Sequence, residues 1–269
     1  MSSIGNVFES RELLWNLTLR ELRTKYRRSF LGWAWSMLNP LASVAIYSFV
    51  FSVLFRSTAE PGDPSGLTGF AFFLLAALLP WNFFSLVNSM GMGSIVANSG
   101  LVRRVAFPLE ILVLSNVLHA CVQFSIEMGI FISILLLIGA PIAQFLPIVL
   151  ILSFLLALFG CGFGLALSAI CVYFKDMNYL WGILLQVWFF MTPVVYAPTL
   201  LDGRAPEWLR KVLILNPMHA FVTAYRDTLY HGRTPSASRL ILLLVASLTS
   251  LTLGWLIFKR MSRRLAEEV

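Results

Sequence analysis

The chain has 269 residues, of which 58% are hydrophobic and only 12% are charged, where a soluble domain carries roughly 25% charged residues. That composition, with a mean hydropathy of +0.81, excludes an ordinary soluble enzyme and indicates a membrane protein. The net charge of +7 comes from cations bordering the apolar runs, so anionic lipid rather than nucleic acid is the expected partner.

Residues 29–55, 64–102, 128–174, 177–201 and 240–258 contain no Asp, Glu, Lys or Arg. Each can cross the roughly 30 Å hydrocarbon core of a bilayer at 1.5 Å rise per residue. The run 128–174 is broken at 139–147 by GAPIAQFLP, which places a turn between two spans. Six spans result, near 30–55, 67–90, 108–138, 146–172, 179–197 and 238–258. The predicted fold is an all-α membrane protein, because a spanning backbone must satisfy its own hydrogen bonds. Thirteen Lys or Arg fall on the side of the termini and seven on the other, which puts both termini in the cytoplasm. A first apolar run of 27 residues behind an N-terminus that mixes acids with cations is wrong for a cleavable signal.

In chain order, residues 9–28 read as an amphipathic interfacial helix. Trp15, Leu19, Leu22 and Tyr26 share one stripe while Arg20, Arg27 and Arg28 point away. With Arg23 and Lys25 these cations serve either as a positive-inside anchor or as a docking surface. Trp33 and Trp35 suit headgroup depth. The loop RSTAEPGDPSG reads as a simple connection. Between the second and third spans, Asn98 or Ser99 can cap a short helix through GLVRRVAF that exposes Arg103 and Arg104. Glu127 lies near mid-bilayer with His119 two turns away, and must be protonated, face a polar interior or find a donor such as Gln123. In the fourth span Gly160, Gly164 and Ser168 clear a stripe for a close partner, within or between subunits. Pro193 and Pro198 stop the fifth span, and residues 199–233 read as two short helices folded back into the outer leaflet beside a pathway.

Cys121, Cys161 and Cys171 have no metal or CxxC spacing and read as packing thiols; the three histidines lack ligand spacing too. No GxxxxGK[ST], HExxH or GxSxG occurs. If the protein uses ATP, another chain is therefore expected to bind it, and no metal site is expected on this one.

Four segments carry a family resemblance: RELRTKYRRSFLGWAWSMLNPLASVAIYSFVF, NSGLVRRVAFPLEIL, YFKDMNYL and LNPMHAFVTAYRDTLYHG. In this order they resemble the transmembrane subunit of ABC-2 type polysaccharide exporters, which move O-antigen, teichoic acid and related lipid-linked glycans. The resemblance implies one membrane domain over 1–269. It comprises a cytoplasmic interfacial helix (1–29), a six-helix region (30–258) with an external re-entrant segment (198–237), and a cytoplasmic tail (259–269). It also implies a homodimer in the bacterial cytoplasmic membrane, driven by two copies of a separate ATPase that binds ATP and Mg. Asn98, Ser99, Gly100, Leu101, Val102, Arg103 and Arg104 would contact that ATPase. The cations Arg20, Arg23, Lys25, Arg27 and Arg28 would border the entrance for the lipid-linked glycan. Trp33, Asn39, Tyr47, Gln186 and Trp188 are the channel candidates that follow. The alternative reading is a proton-coupled secondary transporter using Glu127 and His119.

Overall fold

With no charge to solvate and no water to bond, the apolar runs close their own backbone hydrogen bonds as helices. The computed structural model describes residues 11–24, 32, 34–50, 61–105, 107–197, 206–207, 213 and 215–262, and these contain no strand. The helices are α1 (Arg11–Thr24), α2 (Ala34–Ser48), α3 (Phe70–Ala97), α4 (Ser99–Val102), α5 (Glu110–Leu137), α6 (Leu146–Tyr173), α7 (Met177–Met191), α8 (Pro217–Arg226) and α9 (Ala237–Met261).

By length and composition four of them can cross a bilayer: α3, α5, α6 with the 3-10 turn Ala143–Phe145 before it, and α9. The fifth expected span is shorter than the sequence suggests. Helix α7 stops at Met191, because Pro193 forces Thr192 into an extended conformation (φ −106°, ψ 128°). Its 15 residues rise only about 22 Å. In the first span the described α-helix is likewise 15 residues long, with residues 49–50 continuing it as a π-helical turn. The predicted break between the third and fourth spans is a Schellman turn. Gly139 takes φ +82°, Ala140 N–H donates to Leu135 at 3.0 Å and Gly139 N–H to Leu136 at 3.0 Å.

Helices α3 and α6 form the centre, with α5 and α9 outside them and α1 laid on α5. Small residues bring these helices together. Gly160 meets Val87 of α3, and Gly91 of α3 meets Gly164, so the Gly160/Gly164 stripe packs within the subunit. The opposite side of α6 crosses α9 more closely: a Cβ added to Gly254 would lie 2.0 Å from the Gly162 carbonyl oxygen. Two serines of α9 bond across this crossing, Ser247 to the Leu155 carbonyl at 2.9 Å and Ser250 to the Phe159 carbonyl at 2.8 Å.

The segment after α7 contains, among the described residues, helix α8 and the π-helical turn Asp227–His231, with Glu207, Leu213 and Leu215 also helical. It packs into the protein: Met218, Phe221, Val222, Ala224, Tyr225 and Leu229 have no exposed surface. One expectation changes, because the described part of the first loop is no simple connection. Ser65 N–H donates to the His231 carbonyl at 2.8 Å and Asp63 N–H to His231 Nδ1 at 3.3 Å. Burial, aided by Arg233, pushes the His231 imidazole below its ordinary range, which keeps Nδ1 an acceptor.

The α6–α9 crossing has a measurable consequence. Gly254→Ala is expected to cost about 3 kcal/mol or abolish folding, and Gly160→Ala less than about 1 kcal/mol, since it presses on a movable valine. Thermal unfolding in detergent should rank them in that order.

Candidate functional site

Polar side chains gather at two ends of the bundle. At the first, α1 turns Leu14, Leu17 and Thr18 toward α5, with Leu17 and Thr18 at 5% and 1% exposure. Trp15, on the stripe singled out in the sequence, is 60% exposed. The helix thus has two apolar faces, one for protein and one suited to lipid, and a polar one holding Arg20 and Arg23. Lys25, Arg27 and Arg28 lie outside the described residues.

The expected helix through GLVRRVAF is a single turn, α4, followed by exposed Arg103 and Arg104. The side chain of Asn98 does not cap it. Its amide instead donates back to the Ser94 carbonyl at 2.8 Å, and its oxygen accepts from Arg20 at 2.6 Å. Arg20 also pairs with Glu21 at 2.7 Å. Two residue sets picked separately from the sequence, the α1 cations and Asn98–Arg104, therefore meet in one bond. Ser99, Gly100, Leu101 and Val102 follow, with Val102 buried.

On α5, Glu127 is 4% exposed and accepts from Gln123 at 2.8 Å. His119 is fully buried on the same helix, about 12 Å away along its axis. That spacing is too long for direct proton transfer.

The channel candidates separate. On α7, Trp181 and Leu185 are buried and Trp188 continues their stripe; Tyr179, Ile183, Gln186 and Phe190 form the exposed one. Gln186 and Trp188 therefore face different ways. Trp188 belongs to an aromatic cluster, 5.2 Å from Phe84 and 5.6 Å from Phe163 between ring centroids, although its edge also lines a groove of about 520 Å³ with Leu184, Met191 and Leu215. Tyr47 of α2 is half-buried, 6.4 Å from Phe189 of α7, so α2 and α7 approach one another. Trp33 and the side chain of Asn39 lie outside the described residues.

At the second end stand residues the sequence reading left out. Asn216 caps α8 by accepting from Met218 N–H at 3.0 Å, and the same oxygen accepts from Trp188 Nε1 at 2.8 Å. Its amide donates to Thr192 Oγ1 at 3.0 Å. Buried Asp227 pairs with Arg233 at 2.6 Å and with Arg239. The signals were present: Asn-Pro before an apolar run marks a helix start, and adjacent Arg226 and Asp227 in an apolar patch mark polar groups that need partners.

These features describe a multi-pass helical membrane protein with polar junctions at both ends of its bundle. Residues 12–230 match the family described as ABC-2 type transporter, and the chain belongs to that family. It is 31% identical over 270 residues to the O-antigen export system permease protein RfbA of Myxococcus xanthus, covering 99% of this chain and 98% of that one. A protein of the same name from Klebsiella pneumoniae is 24% identical, covering 98% and 96%. The polysialic acid transport protein KpsM of Escherichia coli is 26% identical, covering 90% and 91%.

Asn216→Ala removes the α8 cap and strands the Trp188 and Thr192 donors and acceptors. The expected loss is about 2 kcal/mol, against about 1 kcal/mol for Trp188→Phe, read from thermal unfolding in detergent.

Proposed function

We propose that this chain is the channel-forming permease subunit of an ATP-driven exporter. Its cargo is a lipid-linked polysaccharide or teichoic-acid-type polymer, carried across the bacterial cytoplasmic membrane. The observation that carries this reading is the likeness, along nearly the whole chain, to permeases named for O-antigen export. The chain spans six times with both termini in the cytoplasm. Helices α2 and α7 supply the two spans beyond the four that are long enough alone, α7 completing its crossing through the turn at 192–197. Two copies pair, with the exposed faces of α2 and α7 toward the conduit. Gln186 on the exposed stripe of α7 is the better placed of the two α7 candidates to meet the glycan.

ATP and Mg²⁺ belong to two copies of a separate ATPase docked at 98–104. The Arg20–Asn98 bond supports the coupling step. A push on Arg103 or Arg104 reaches α1 through Asn98, and α1 with its cations borders the entrance for a phosphate-linked lipid.

Export from cells or vesicles should require the partner ATPase and stop when that partner's nucleotide-binding lysine is mutated. Arg20→Ala should lower export several-fold while leaving the ATPase bound. Export that persists with the ATPase deleted overturns the reading.

Glu127 is a structural acid in this account, held by Gln123. Glu127→Gln keeps the shape and removes the charge, so ATP-driven export should stay within about twofold of the parent. Abolished export by a fully assembled complex would favour proton coupling.

A further inference from the structure

Arg226 is a cation at 3% exposure at the C-terminal end of α8. Its donors all go to backbone carbonyls of other elements: Nε to Phe73 at 3.2 Å, Nη1 to Pro193 and to Tyr196 (3.4 Å), and Nη2 to Val194 at 2.5 Å. Its Cζ stands 3.6 Å from the centroid of the Phe73 ring. The neighbouring carboxylate, Asp227, is committed to Arg233 and Arg239. Carbonyl dipoles and a ring face therefore balance this charge, and three of the four carbonyls belong to the turn after α7, where the negative end of a helix favours a cation.

The opposite end of α8 holds the same turn through Asn216 and Thr192. Between these attachments α7 buries only Trp181 and Leu185 of its 15 residues. A helix packed so sparsely along its length and bonded so heavily at one end is positioned by the bonds at that end. Lys could keep the charge but not the arrangement, because an ammonium lacks the planar fork that reaches several carbonyls at once.

We propose that Arg226 is a positioning residue for export: it clamps the Pro193 end of α7 to α3 and α8 and so sets where one wall of the conduit stands. This rests on the conduit reading above, yet the clamp itself can be tested without any transport.

The full-length protein, with Cys121, Cys161 and Cys171 changed to Ala, carries one cysteine at Val194 or at Val222, both without exposed surface. Adding Arg226→Lys or Arg226→Gln should speed labelling of Val194→Cys by a water-soluble maleimide about tenfold, while Val222→Cys in α8 stays protected, as local opening requires. In the assembled complex, export should fall at least about fivefold while ATP hydrolysis continues, a split that a loss of folded protein would not produce. Unchanged labelling at Val194→Cys overturns the clamp. Equal labelling at both positions also overturns it, by making Arg226 a general folding residue. Faster Val194→Cys labelling with undiminished export overturns the link to transport, and leaves the export reading intact, since that reading fails only if export survives loss of the ATPase.

Discussion

Backbone polar groups that cannot reach water have to be satisfied by protein, and this constraint governs the fold from end to end. Within a helix it is met automatically. At a helix end it is not, because the last four carbonyls lack intrahelical partners. The chain meets the demand differently at each exit. After α5 the Gly139 turn folds its own amides back onto Leu135 and Leu136. After α7 the carbonyls of Pro193, Val194 and Tyr196 turn inward, and Arg226 supplies the donors. Asn216 and Arg226 are buried because they complete backbone hydrogen bonding where helices begin and stop.

Packing answers to a second demand. Lipid tails are as apolar as Leu, so helices gain little from hiding apolar surface from them, and close contact has to supply the attraction. Helix α6 achieves this on two sides, with Gly160 and Gly164 toward α3 and Gly162 toward α9. The serine hydroxyls of α9 add bonds that only such proximity allows. Helix α7 has no comparable stripe and relies on the aromatic cluster around Trp188 instead.

The long apolar helices were legible because missing charge and turn formers are local signals, and Pro193 and Gly139 act within a residue or two of where they stand. The face that α1 turns to the protein was not, since Leu14 and Leu17 on one side and Trp15 and Leu19 on the other are equally apolar, and periodicity cannot tell protein from lipid. Burial of 216–230 was hidden for the opposite reason. Asn216, Arg226, Asp227 and Thr228 make the segment look too polar for a core, and their partners lie far off in sequence, as Phe73 does from Arg226. The docking of Ser65 on Tyr230 and His231 was unreadable on the same grounds. At the other end, Asn98 and Arg20 were each noticed, but their bond spans 78 positions and has no periodic signature.

The glycine crossing of α6 and α9 divides the molecule mechanically. With Gly162 and Gly254 in backbone contact, neither helix can slide or roll without a collision of main chain, so α3, α6 and α9 form a stator. Helix α7 is joined to that frame through side chains, the aromatic cluster around Trp188 and the bonds of Arg226, so side chains rather than a glycine crossing decide where it stands.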